Sequence, residues 1–284
     1  MPNTLLQSCQ TFRDERAVSL CPTSLTSDWR QFLTWVERCP VQDLERGREA
    51  LTWVLRQEPH KSALRVAMYL RSFYRWASSE DVALVRQNPV ASFKMPKAPQ
   101  RDDEISVIPR SELPLVFAAL ERQDKTLPQW DLWARFMVQT GLRTGEVRAV
   151  CRQDISDNKL LVHANVTLTH GLKTSTKTNK RRWVPLNSVA RGILESLPPD
   201  ADGFLFPWAR SAFQSFFSDH MQVLHKAGAI SKRYRPYDLR HTAISSWLEA
   251  GVPVTQCASW AGNTAEIIWR YYASTTNTYE MPVL

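Results

Sequence analysis

From residue 24 to about residue 76 the apolar positions recur every three or four residues, the period of helices with one buried face. Trp29, Phe32 and Trp35 open this stretch and Leu51, Val54 and Leu55 continue it. Leu64, Ala67, Leu70 and Tyr74 close it, with Arg71 and Arg75 interleaved. Aromatic residues at that spacing read as core. Asn88-Pro89-Val90 is expected to break the helix, because proline restricts the residue before it. Met95 to Glu104 is poor in apolar residues and carries Pro96 and Pro99, so 95–106 reads as an extended linker. It separates a helical N-terminal domain, 1–94, from a second domain, 107–284.

The second domain starts with helical patterns from Ser111 and from Trp130 to Gln139; Gly141 interrupts the latter and Thr144 to Val147 resumes it. After Lys159 the period changes. Leu160-Leu161-Val162, Val166-Thr167-Leu168 and Trp183-Val184-Pro185-Leu186 predict a small antiparallel sheet. Helices return at Val189, around Phe213 and from Asp238 to Ala250, with Gly251 as a stop. The predicted fold class is mainly α with a small antiparallel β-sheet (α+β).

Composition narrows the picture. The 284 residues suffice for two domains with a core each, and 43 % hydrophobic with 23 % charged residues is a globular balance. No run of 18 apolar residues predicts a membrane helix. Met1 to Gln7 lacks the basic and apolar segments of a secretion signal, so an intracellular, cytoplasmic location is expected. Cys9, Cys21, Cys39, Cys151 and Cys257 are odd in number and scattered, with no C-x-x-C pair, which argues against a disulfide framework and a zinc site.

The net charge of +8 concentrates in two places. Lys173, Lys177, Lys180, Arg181 and Arg182 stand with no acid between Gly171 and Asn187; Lys226, Lys232, Arg233, Arg235 and Arg240 form the second group. One such group reads equally well as a solvated face, whereas two in the same half of a chain suit a phosphate backbone.

Thr140-Gly141-Leu142-Arg143-x-x-Glu146 and Tyr237-Asp238-Leu239-Arg240-His241-Thr242 each place an arginine near the expected start of a helix. Free N–H groups and the dipole favour an anion there, and a guanidinium fork adds bidentate hydrogen bonds to its oxygens. Glu146, three residues after Arg143, is within reach to orient the fork. Taken singly, either arginine reads as a structural ion pair. In the aromatic stretch from Trp260 to Ser274, Tyr272 reads from composition as a core tyrosine.

Together with Gly262-Asn263-x₈-Tyr272-Ala273, in this order and separation, these segments resemble the tyrosine recombinase (phage integrase) family over nearly the whole chain. The resemblance implies that Arg143 and Arg240 are the two catalytic arginines and Tyr272 the nucleophile, with Tyr271 one residue out of place. It implies a catalytic lysine ahead of the strand Arg182-Trp183-Val184-Pro185-Leu186; Lys177 has the best spacing and Lys173 is the runner-up. Lys173, Lys180, Arg181, Arg182 and His241 are expected at the DNA, although the histidine after the second arginine is mostly structural in the family. Tyr237 stands where most members have histidine or lysine, and Asn263 where they have histidine or tryptophan. Tyrosine is a poor proton acceptor at neutral pH, while Asn263 retains an amide donor for a phosphate oxygen. These departures bear on proton transfer more than on phosphate binding.

The resemblance further implies a SAM-like core-binding domain and a catalytic domain closing as a C-shaped clamp on double-stranded DNA. The chemistry would be a 3′-phosphotyrosine intermediate and strand exchange through a Holliday junction, with neither metal, ATP nor any cofactor. A homotetramer on paired sites, an accessory directionality factor, and integration or excision of a mobile element follow from the same likeness. The segment before Ser24 is too short for a separate arm-binding domain, so binding to core sites only is expected. Two alternatives share the fold: a DNA-binding protein with a weakened site, and a type IB topoisomerase-like enzyme or resolvase that does not join two sites.

Overall fold

Four helices build the N-terminal part of the chain: α1 (Leu5–Ala17), α2 (Pro22–Arg38), α3 (Gly47–Leu55) and α4 (His60–Ala77). The computed structural model describes residues 4–17, 22–57, 60–96, 105–124, 126–167, 171–173 and 181–272. Its contacts divide the chain into compact units, Met1–Asp102 and Asp103–Leu284. Residues 97–104 of the expected linker lie outside the described residues.

Helix α1 precedes the stretch in which helices are expected. Leu5, Cys9 and Phe12 line its buried side at spacings of four and three, and the Phe12 ring meets Trp29 at 5.4 Å and Phe73 at 5.9 Å, both edge-on. Helix α4 ends well before the proline at 89. At its end Ser78 donates both N–H and Oγ to Tyr74 O, and Ser79 both N–H and Oγ to Trp76 O.

The second unit contains α5 (Leu113–Leu120), α6 (Trp130–Thr140) and α7 (Thr144–Arg148), then strands β1 (Ile155–Ser156), β2 (Lys159–Val162), β3 (Asn165–Thr167), β4 (Gly171–Lys173) and β5 (Arg182–Pro185). Helices α8 (Ser188–Ser196), α9 (Arg210–Lys226), α10 (Pro236–Glu249), α11 (Val254–Ala261) and α12 (Ala265–Tyr272) follow. The expected strands pair antiparallel in two sets rather than one. β1–β2–β5 is a three-stranded sheet with Leu160 opposite Val184 and Val162 opposite Arg182, while β3 and β4 form a separate ribbon with Asn165 opposite Lys173.

Helix α6 lies in the main core, where Trp133 stacks on Phe213 at 4.9 Å and Phe136 meets Phe206 at 5.2 Å. Such aromatic pairs contribute about 0.5–1.5 kcal/mol each beyond the area they bury. A second apolar cluster of Ile244, Leu248, Cys257, Ile268 and Tyr272 joins α10, α11 and α12. At the start of the unit, Ile108 N–H donates to the buried Thr242 Oγ1, tying the entering chain to α10. Among the described residues no helix is long and apolar enough to cross a membrane.

Candidate active site

Helix α6 ends on Gly141 and α11 on Gly262, with φ of 62° and 65°. Glycine takes this left-handed backbone without steric cost. A side chain at Gly141 would also meet the Trp247 ring at 2.6 Å. Each turn presents a carbonyl to an arginine from another element: Gly141 O accepts from Arg240 Nη1 at 2.6 Å and Gly262 O from Arg143 Nη2 at 3.0 Å.

Three consecutive carbonyls at the end of α11 are taken by three different arginines. Arg182 Nε donates to Trp260 O at 2.8 Å and Arg240 Nη2 to Ala261 O at 2.7 Å, while Arg143 Nη2 reaches Gly262 O. Arg143 Nη2 donates also to Asn263 Oδ1 at 3.0 Å. The last carbonyls of a helix have no partners within it and carry the negative end of its dipole, so cations suit them. Because α12 starts two residues after Asn263, the helix bearing Tyr272 hangs from the same three guanidinium groups.

Glu146 binds the cluster together. Its carboxylate is buried and accepts four hydrogen bonds: from Arg143 N–H at 2.9 Å, Arg143 Nη1 at 3.0 Å, Arg182 Nη1 at 3.0 Å and Arg182 Nη2 at 2.8 Å. Burial alone would push its carboxyl up; the Arg182 fork, with Arg143 and Arg240, outweighs burial and holds it below the ordinary range. Three guanidinium charges against one carboxylate leave the cluster two positive charges in excess. Arg240 has no exposed surface, and burial and the nearby Arg143 lower its pKa to about 10, so it stays charged at neutral pH. A nearby dianionic phosphoryl group would be attracted by this unbalanced, poorly hydrated charge.

Two expectations need correction. At each helix start a carboxylate three residues on takes one N–H: Glu146 that of Arg143, and Asp238 Oδ2 that of Arg235 at 2.7 Å. Arg240 sits in the second turn of α10 and works through its side chain alone. Arg182 is not displayed for DNA. It is 9 % exposed, and β5 turns it to the same inner face as Val184, where Glu146 and Trp260 O occupy its fork. Its neighbour Arg181 is exposed.

Tyr237 is 43 % exposed, with its ring 5.9 Å from the Arg240 guanidinium carbon and edge-on to the His241 ring at 4.9 Å. Tyr272 is 3 % exposed, and its hydroxyl lies 2.6 Å from His241 Nδ1. Burial raises the Tyr272 pKa well above its ordinary value; burial, with Arg240 and Arg235, lowers that of His241 to about 4 against the opposing pull of Asp238. At neutral pH both partners are uncharged. The structure thus brings Arg143, Arg240, Asn263, Tyr237, His241 and Tyr272 to one place. The Tyr272–His241 contact is the feature that sequence reading missed, its only signal being the adjacency of His241 to Arg240. Lys173 sits on β4, and Lys177 and Lys180 lie outside the described residues.

Gly262 is held to glycine twice over. Besides its φ, a Cβ there would lie 3.0 Å from Arg182 Cζ and Nη1. Gly262→Ala should cost about 1–3 kcal/mol from the left-handed backbone alone. Urea unfolding that shows no loss of stability would contradict this packing.

Residues 107–278 match the sequence profile of the phage integrase family. The shufflon-specific DNA recombinase of Escherichia coli is 26% identical over 191 residues, covering 66% of this chain and 44% of that protein. The chain spans about half the length of the curated relatives it matches. In fold it is similar to the Tn1549 transposon integrase in complex with a circular intermediate DNA, with a TM-score of 0.73 at 18% identity over 99% of this chain and 96% of that one. It is likewise similar in fold to lambda integrase, solved as a tetramer bound to a Holliday junction, with a TM-score of 0.70 at 17% identity over 98% and 80% of the two chains.

Proposed function

The chain belongs to the phage integrase family, and from that membership we propose that it is a site-specific tyrosine recombinase that cleaves and rejoins double-stranded DNA through a 3′-phosphotyrosine. The observation that carries this reading is the convergence of Arg143, Arg240, Asn263 and Tyr272 around one helix end. Tyr272 Oη attacks the scissile phosphorus, the bond to the 5′-oxygen breaks, and a free 5′-hydroxyl leaves. The phosphodiester energy is kept in the tyrosyl ester, so the reaction needs no ATP. Arg143 and Arg240 neutralise the charge gathering on the non-bridging oxygens, and Asn263, whose Oδ1 already faces Arg143, offers its amide N–H to one of them. Lys177 protonates the leaving 5′-oxygen, with Lys173 as the alternative. Cationic side chains do this without a metal.

Because Arg240 has no exposed surface, the phosphate reaches it only when a covering side chain moves, and Tyr237 is the exposed ring placed to do so. The 5′-hydroxyl of a partner duplex then attacks the phosphotyrosine. Two rounds of exchange through a Holliday junction recombine paired sites within a homotetramer. Integration or excision of a mobile element, with an accessory directionality factor, is the biological setting this chemistry suits; Lys180, Arg181 and His241 complete the expected DNA-facing set.

A nicked suicide duplex drawn from the DNA flanking the gene tests the reading. Incubated with the protein in EDTA and run on a denaturing gel, it should yield a slow covalent protein–DNA band. Specific binding with no such band on any flanking duplex would overturn the enzyme and favour the DNA-binding protein with a weakened site.

A further inference from the structure

We infer that His241 is the base that takes the proton of Tyr272 as its oxygen bonds to phosphorus, an assignment that rests on the function proposed above. Arg240 and His241 are consecutive on α10 and project about 100° apart on the helix. One side chain therefore turns to the carbonyls of Gly141 and Ala261 while the other turns to α12, where Nδ1 lies 2.6 Å from Tyr272 Oη. A nucleophile and a base within hydrogen-bond reach is the arrangement that activates a hydroxyl. Tyr237, the neighbour on the preceding turn, is itself a phenol and a poor proton acceptor, and its ring rests against His241 rather than replacing it.

The surroundings favour an accepting imidazole. Burial and the charges of Arg240 and Arg235 keep His241 neutral, and in the tautomer with its proton on Nε2 the Nδ1 lone pair accepts from the Tyr272 hydroxyl. A weakly basic imidazole takes the proton only as the phenol becomes acidic through its new bond. In the forward step the Oη–P bond forms, the Oη proton passes to Nδ1, the P–O5′ bond breaks, and the leaving oxygen takes a proton from Lys177. In the rejoining step the incoming 5′-hydroxyl attacks phosphorus and passes its proton to the now neutral lysine, while Tyr272 leaves and recovers its proton from Nδ1. The imidazolium lasts as long as the covalent intermediate, and the negative charge of the phosphodiester offsets its place beside Arg240.

The test is single-turnover cleavage of the suicide duplex by the full chain, comparing the parent with His241→Asn and with His241→Ala, the latter with and without added imidazole. Asparagine sets an amide oxygen near the Nδ1 position, so it can still accept from Tyr272 yet cannot take the proton. Saturated with the duplex, His241→Asn should cleave it about 10²–10⁴-fold more slowly than the parent, the range of general acid–base contributions. His241→Ala should be similarly slow and recover in proportion to the concentration of free imidazole. Should His241→Ala fail to bind DNA through misfolding, His241→Gln, which removes the acceptor from the Nδ1 position, takes its place in the comparison and should be equally slow. Cleavage by His241→Asn at or above the parent rate shows that His241 merely holds or restrains Tyr272, and overturns the assignment while leaving the proposed function standing. A parent protein that binds but forms no adduct overturns both.

Discussion

Replacing Tyr272 with phenylalanine is expected to abolish the covalent protein–DNA adduct altogether, while Tyr271→Phe leaves it in place. The two residues are adjacent on α12, yet the helix turns them about 100° apart and only Tyr272 sends its hydroxyl to His241, beside Arg240. Tyr271 is half-buried and packs against the apolar cluster of α10 to α12. Phenylalanine keeps the Tyr272 ring in that cluster and removes one oxygen, so the fold survives. The lost hydrogen bond leaves His241 Nδ1 with a cost of about 1–3 kcal/mol, small beside the loss of the nucleophile. The comparison is read on a denaturing gel alongside specific binding, which Tyr272→Phe should retain. A persistent band in Tyr272→Phe would move the nucleophile elsewhere.

The second large effect is expected at Glu146. Its removal as Glu146→Ala leaves Arg143 and Arg182 without their shared counter-ion, beside a third buried guanidinium at Arg240. Breaking a buried pair by deleting one partner typically costs about 3–5 kcal/mol, because the remaining charge stays desolvated and unpaired. The Arg143 N–H at the start of α7 also loses its acceptor. Chemical unfolding should show this loss, and adduct formation should fall with it, since Arg143 and the α11–α12 turn are held by the same carboxylate.

The pH dependence has a definite sign. Glu146 titrates below its ordinary value in the folded protein, so its contribution is complete above that value and is lost as pH falls through the lower, folded-state one. Glu146→Gln should therefore flatten the acid side of the stability curve relative to the parent. An unchanged stability and an unchanged acid limb would show that the arginines do not depend on this carboxylate.

Much of the architecture is legible in the chain. The three-to-four spacing of Trp29, Phe32, Leu51, Val54, Leu70 and Tyr74 does mark buried helical faces, and the shift to alternation after Lys159 marks strands. Helix α1 carries the same signal in Leu5, Cys9 and Phe12, but a short polar helix with three apolar contacts is faint without Trp29 and Phe73 to receive it. Helix α4 ends at Ala77, where Ser78 and Ser79 bond back to its last turn, well ahead of the more conspicuous proline.

At the site, residue type showed charge but not direction. Arg182 shares the parity of Val184 and so faces inward, while Trp183 faces out at 47 % exposure, the reverse of what hydrophobicity suggests. Glu146, 36 residues earlier, and the Trp260 carbonyl, 78 residues later, explain the inversion, and both pairings are tertiary facts. The Tyr272–His241 contact is hidden for the same reason, since it depends on how α12 is hung from the end of α11.

The claim at the centre of this account, an ester between DNA and Tyr272 Oη, is tested most directly by locating the bond. Trypsin should release from the purified adduct a nucleotide-bearing peptide that begins at Tyr271, after Arg270, and nuclease trimming leaves a short mass tag for fragmentation. The account predicts the tag on Tyr272. A tag on Tyr271, on Tyr279 of the same peptide, or on any other residue would contradict it.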